Sequence, residues 1–345
     1  MEKIHSFSEC LDMAKAGKKH LMLGNGFSVA LFPKIFNYKA LADNIDSKKI
    51  KQLFSAIGTH DFEFVMRRLS EALDILKHYD LDDRISDQIK SDIEELKNTL
   101  INVISNAHPA KPSEITEAQY LSCRDFLSNF SQGKTYSFNY DLLLYWVLMH
   151  YHEDSRLKLP CDDGFRYLYQ DESSKEENFN TSLHWQIGRE NQQNIYYIHG
   201  AMHIFSDGSD IEKLSYTNIG IPLSEQVRNA IDDGKFPVFI SEGSTEHKLS
   251  RIKKNGYLSR TFSSLKSIRG GLFIFGHSIR DEDDHIFDFL NQNNKNLTLY
   301  IGIYGPPSEP YNRVIIDKVR GWREQYKQKS FYIYDTSSVD VWNKV

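Results

Sequence analysis

A series of short apolar runs, each ending at glycine or a polar residue, constrains this chain more than any other feature. The runs are His20–Leu23, Lys134–Phe138, Ile195–Ile198, Phe236–Ile240, Leu272–Phe275, Leu297–Ile303 and Phe331–Tyr334. A strand buried on both faces reads as a continuous apolar stretch rather than as alternation, the mark of a parallel sheet covered by helices. Helical stretches separate the runs. The pattern therefore predicts an α/β fold, a Rossmann-like doubly wound parallel sheet. With 345 residues, the chain is long enough to build it as one domain over 1–345 with a sizeable core.

Two insertions interrupt the alternation. Residues 40–130 read as a helical lobe. Phe62, Val65, Met66, Leu69, Leu73 and Leu76 recur at helical spacing, as do Ile85, Ile89, Ile93, Leu96, Leu100 and Val103. Each set makes one apolar stripe for a core. Thr59 or Asp61 is positioned to cap the first helix, with Glu63 in its first turn. Residues 161–194 are polar and acidic, containing QDESSKEEN and NQQN, and read as a surface excursion with limited regular structure.

The strand ends carry the chemistry. His20–Leu23 runs into Gly24-Asn25-Gly26-Phe27-Ser28. Glycines there permit positive φ and close approach of a ligand, and the helix that follows offers N–H groups to a phosphate. A tight strand-to-helix turn with no ligand explains the same residues, and this loop departs from G-x-G-x-x-G. Lys134–Phe138 ends in Asn139 and Asp141, residues that suit either a ligand at a strand's C-terminus or the cap of the next helix. His199 closes Ile195–Ile198 just before Gly200, whereas His203 lies inside the next apolar stretch. Leu272–Phe275 ends at Gly276-His277-Ser278, a second turn suited to a ribose or phosphate, followed by the acidic run Asp281 to Asp284. Phe236–Ile240 ends in Ser241, Glu242 and Gly243.

The order of these segments resembles the sirtuin family and its bacterial sirtuin-like NADase relatives, over residues 20 to 305. Gly24-Asn25-Gly26-Phe27-Ser28 resembles the family's G-A-G-x-S loop, and Ser137-Phe138-Asn139-Tyr140-Asp141 its T-Q-N-x-D strand end. Tyr196 to Gly200 resembles I-x-x-H-G, Val238 to Glu242 the V-V-x-F-G-E strand, and Gly276-His277-Ser278 the G-T-S turn. Asn25 stands where the family has alanine and Phe138 where it has glutamine. The four zinc cysteines of protein-deacylating sirtuins are missing after His199, so no metal site is expected.

The resemblance implies an NAD⁺ glycohydrolase, with NAD⁺ as substrate and Asn139 and His199 as catalytic residues. Gly24 to Ser28, Asp141 and Gly276 to Ser278 would bind the dinucleotide. It further implies an NAD⁺-depleting effector of antiviral defence, regulated by homo-oligomerisation or by a partner such as a HerA-class ATPase. A protein deacylase or ADP-ribosyltransferase using the same pocket, or a non-catalytic NAD⁺ or ADP-ribose sensor, are the competing readings.

Composition narrows the setting. The net charge of −5 gives no basic face for nucleic acid. Lys248, Arg251, Lys253 and Lys254 read as a solvated helix face. Cys10, Cys123 and Cys161 lack C-x-x-C spacing, which excludes a zinc ribbon or a disulfide framework and fits a reducing compartment. The first residues lack the apolar stretch of a signal peptide. The longest apolar run, Leu142 to Met149, is too short to span a bilayer. A cytoplasmic protein with no membrane contact is expected.

Overall fold

The computed structural model describes residues 2–36, 38–76, 78–79, 83–166, 182–186, 192–207, 210–216, 221–233, 235, 237–240, 245–293 and 296–342. The strands are Ile4–His5 (β1), Lys19–Leu23 (β2), Thr135–Ser137 (β3), Phe165–Arg166 (β4), Ser182–Trp185 (β5), Ile195–Tyr197 (β6), Gly200–Asp207 (β7), Asp210–Leu214 (β8), Pro237–Phe239 (β9), Gly270–Phe275 (β10), Leu297–Ile303 (β11) and Phe331–Asp335 (β12).

A seven-stranded sheet, ordered β1-β12-β11-β10-β2-β3-β6, forms the frame. All its pairings are parallel. Its strands alternate between two covered faces, as the pleat requires. Leu21, Leu23, Phe273 and Phe275 join one core; Met22, Leu272, Ile274, Leu299 and Ile301 join the other. Helices Phe7–Met13, Glu117–Ser128 and Leu143–His150 cover the first face, and Asp284–Asn293 and Pro310–Gln325 the second. This is the Rossmann-like α/β fold expected from the apolar runs.

Two features of this sheet position the site. From β2 the chain builds outward through β3 and β6 on one side, and later through β10, β11 and β12 on the other. The strand order therefore reverses between β2 and β10, where α/β sheets bind ligands. The register then levels the strand ends: Leu23 lies opposite Phe275 and Ser137, and Ser137 opposite Tyr197. Whatever follows these residues emerges on one rim.

The helical insertion is present as helices Lys48–Ile57, Phe62–Leu76 and Asp83–Ala107, among shorter ones. Phe62, Val65 and Met66 are buried, as are Ile93, Leu96, Leu100 and Val103. Ile85, assigned to the second stripe, is instead exposed. Of the two residues offered as caps, Asp61 caps the helix and Thr59 braces Asp61. Thr59 Oγ1 accepts the Asp61 N–H at 3.1 Å, and Asp61 Oδ1 accepts the Phe64 N–H at 3.2 Å.

The rest of the expectation needs correction. A second sheet, ordered β4-β5-β8-β7-β9, pairs antiparallel throughout. The run expected as Phe236–Ile240 supplies β9 to this sheet, beside β7, and not to the parallel one. The polar excursion 161–194 contributes the short strands β4 and β5 to this sheet; residues 167–181 and 187–191 lie outside the described set. Lys248 is fully buried, against the expectation of a solvated face, although Arg251, Lys253 and Lys254 are exposed. Among the described residues no helix is long and apolar enough to cross a membrane.

Candidate active site

The rim above β2, β3, β6 and β10 encloses a cavity of about 270 Å³. The β2 and β10 turns meet back to back. Gly26 donates its N–H to the Gly276 carbonyl at 2.8 Å, and a Cβ on Gly26 would stand 2.6 Å from Gly276 Cα. Only glycine permits this approach, and Gly276 also takes a left-handed φ of +68°. The same contact consumes donors. Gly24, Gly26, Phe27 and Ser28 give their N–H groups to backbone carbonyls, Phe27 to Gly24 and Ser28 to Asn25 at 3.0 Å each. The expectation that this loop presents free N–H groups to a phosphate is therefore not met at these four residues. Gly24, Phe27 and Ser28 do not line the cavity, whereas Asn25 and Gly26 do. Phe27 is buried against Trp342, with ring centroids 4.9 Å apart.

Ser28 serves the cavity indirectly. Its hydroxyl donates to Asp141 Oδ2 at 2.5 Å and accepts from Asn139 Nδ2 at 2.9 Å. Because the Ser28 proton is committed to Asp141, the Asn139 amide is fixed with its nitrogen toward Ser28. Its carbonyl oxygen is left for the cavity that Asn139 lines. Asp141 Oδ1 accepts the N–H of Leu143 at 2.9 Å, at the start of helix Leu143–His150. Burial raises the Asp141 carboxyl, against the lowering effect of Ser28 and Leu143. Asp141 thus ties β3, the β2 loop and the following helix together, although it also lines the cavity.

His199 leaves the end of β6 through Gly200, whose φ is +85° and whose Cβ, if present, would lie 1.9 Å from the Val238 carbonyl oxygen. The imidazole is buried and stands edge-on to Phe138, at 4.8 Å between centroids. Its Nε2 lies 3.3 Å from His285 Nε2 and 3.7 Å from Asp283 Oδ1. Burial drives its pKa well below the ordinary value, with Asp283 opposing and Lys248 reinforcing, so the ring is neutral.

Asp283 gathers this side of the cavity. Lys248 Nζ stands 3.2 Å from its Oδ1 and His277 Nε2 3.2 Å from its Oδ2. His277 Nδ1 accepts the N–H of Ile279 at 2.9 Å, so its single proton sits on Nε2 and donates to Asp283. Ile279 holds a φ of +44°, a strained conformation for a β-branched residue and one that places this donor. Burial would raise the Asp283 carboxyl, but Lys248, His277 and His199 outweigh it and hold it well below the usual range.

Phe36 and the helical lobe, through Leu41, Phe62, Leu100 and Ile104, form the roof. Two ion pairs clasp roof to floor: Arg280 Nη1 with Asp61 Oδ2 at 2.6 Å, and Arg67 Nη2 with Glu282 Oε1 at 3.3 Å.

Of the residues singled out in the sequence, Asn25, Gly26, Asn139, Asp141, His199, Gly276, His277 and Ser278 meet at this cavity. Ser241, Glu242 and Gly243 lie outside the described residues. Sequence reasoning missed Asp283, His285 and Lys248. The run Asp283-Asp284-His285, soon after Gly276-His277-Ser278, was the available signal.

His199, Asp283 and His285 offer ligand atoms within 4.8 Å of one another, as do His184, Asp210 and Glu212 away from the cavity. In the first trio the Lys248 ammonium already balances the carboxylate, and a cation there would face it across one shared oxygen.

The fold and rim define a Rossmann-like α/β protein with an asparagine and a neutral histidine at its crossover cavity. The chain belongs to the family described as Domain of unknown function (DUF4917), whose model matches residues 21–342. No curated protein matches the chain.

Proposed function

We propose that this chain is an NAD⁺ glycohydrolase that cleaves the nicotinamide–ribose bond. The observation that supports the reading best is the convergence of Asn139 and His199, from separate strands, into one cavity at the sheet's crossover. As the bond to nicotinamide breaks, its electron pair leaves with the ring and positive charge grows on the ribose carbon. Water then forms the new C–O bond and loses a proton. The Asn139 carbonyl holds the water or a ribose hydroxyl, and neutral His199 takes the proton. Such general base help is worth about 10²–10⁴-fold. Asp141 is the weaker base candidate, because both its oxygens already accept hydrogen bonds.

The cavity, about 270 Å³, is smaller than common ligand pockets of ~300–1,000 Å³. It suits the nicotinamide riboside half, and the adenosine half requires the clasp at Asp61 and Arg280 to part. The donors for the pyrophosphate then come from the Gly276–Ser278 turn and Arg280 more than from Gly24 to Ser28. By the resemblance to sirtuin-like NADases, the chain is an effector of antiviral defence in the cytoplasm, held in check through homo-oligomer assembly or a HerA-class ATPase partner.

The test is incubation of the purified chain with NAD⁺ alone. Nicotinamide is released without an acceptor, and His199→Ala and Asn139→Ala abolish release while the fold persists. An absolute need for a peptide or other acceptor would assign a deacylase or transferase. Tight binding without release would assign a sensor. Wild-type turnover in His199→Ala would remove His199 from the chemistry.

A further inference from the structure

We infer that Asp283 is a positioning residue that fixes the tautomer of His199, placing the His199 proton on Nε2 and leaving Nδ1 as the nitrogen that faces the cavity. The inference rests on the proposed use of His199 as a base, but the structural part stands without it.

The argument begins with proton counting. His199 Nε2 and His285 Nε2 are 3.3 Å apart. Two lone pairs cannot face each other at that distance without repulsion, and two N–H groups cannot either. One proton lies between them. The Asp283 carboxylate decides which ring carries it, because its Oδ1 stands 3.7 Å from His199 Nε2. A proton on His199 Nε2 is attracted by that oxygen and accepted by His285. In the alternative, with the proton on His285 Nε2, the bare His199 lone pair would face the carboxylate oxygen.

The carboxylate is itself immobilised. Lys248 donates to Oδ1 at 3.2 Å from helix Thr245–Lys254, and His277 donates to Oδ2 from the β10 turn. Burial acts first on the protonation of His199, and the titratable and charged groups that face it are Asp283, Lys248, His285 and His277. With Nε2 turned into this buried cluster, Nδ1 is the nitrogen remaining for the cavity. A buried ion pair is poor evidence for stability alone. A carboxylate that orients a base toward its substrate is a known use for one.

Histidine ¹⁵N spectra of the full chain at pH 7.5 test this without substrate, with the His199 signals assigned by their loss in His199→Gln. The expected wild-type pattern is a protonated Nε2 and an unprotonated Nδ1. Asp283→Asn is expected to shift His199 toward the other tautomer and to lower kcat for nicotinamide release on the order of 10²-fold, with KM little changed. Asp283→Glu is expected to restore part of both. Should Asp283→Asn fail to fold, Lys248→Met/Asp283→Asn leaves no buried charge unpaired and takes its place. A wild-type His199 protonated on Nδ1, or a tautomer indifferent to Asp283, would overturn the inference. The expected tautomer shift in a chain that never releases nicotinamide would uphold it and refute the glycohydrolase reading instead.

Discussion

Lowering the pH from 7.5 to 5 is expected to destabilise this fold severely, through histidines that burial holds neutral. His20 Nδ1 accepts the Lys134 N–H at 2.9 Å while Nε2 donates to the Arg269 carbonyl at 3.0 Å. His108 Nε2 accepts the Leu142 N–H at 3.1 Å while Nδ1 donates to the Pro109 carbonyl at 2.9 Å. In each ring the accepting nitrogen cannot take a proton without setting N–H against N–H. Burial pushes both down to about 4, and His285 likewise. Because the folded values lie below the unfolded value near ~6.5, the unfolded chain binds protons first. Stability is complete above that value and falls as the pH drops toward 4. At pH 5 linkage gives roughly 2 kcal/mol per ring, or about 6 kcal/mol for the three, against a total of ~5–15 kcal/mol for an ordinary domain. Urea unfolding at stepped pH measures this directly. His108→Gln should lower stability at pH 7.5 yet shrink the loss between pH 7.5 and 5 by roughly 2 kcal/mol. Unfolding free energy that stays within ~1 kcal/mol across that range would refute the reasoning.

Two further predictions concern the rim. Gly26→Val forces the β2 and β10 turns apart, since its Cβ would sit 2.6 Å from Gly276 Cα; it should cost roughly 1–3 kcal/mol in urea unfolding and abolish ADP-ribose binding by calorimetry. Wild-type stability and affinity in that variant would show that the turns are not held by this contact. Dialysis against a chelator should leave nicotinamide release unchanged, because Lys248 supplies the counter-charge at Asp283; elemental analysis finding one tightly held divalent ion per chain would contradict that.

The parallel sheet was legible because its strands are apolar on both faces, as in Leu272–Phe275, and because each ends where the backbone must turn. The antiparallel sheet was not, and β8 shows why. Its inward positions are Ile211 and Lys213, and the lysine is buried. It is paired with Asp163 and lies beneath the Tyr145 ring, its nitrogen 4.3 Å from the centroid. A strand whose buried face carries a charge reads as surface until its partner, distant in the chain, is known. Lys248 misled for the same reason: among neighbouring cations it reads as a solvated face, and its ion pair with Asp283 is visible only in the fold.

The site divides along the same line. Asn139 and His199 stand at strand ends, and a strand end advertises itself by the break from apolar to polar residues. The groups that govern them arrive from other parts of the chain: Ser28 from the β2 loop, Asp283 from the acidic run, Lys248 from a helix. Each is chemically ordinary in its own segment. Ser28 looked like a ligand-binding residue, yet its hydroxyl is spent on orienting Asn139 and bridging to Asp141. Asp283 looked like one acid of an acidic run, yet its carboxylate meets both Lys248 and His277. The sequence therefore displays the residues that would touch a substrate, while those that set their proton positions become visible only once the register has brought Leu23, Ser137, Tyr197 and Phe275 level on one rim.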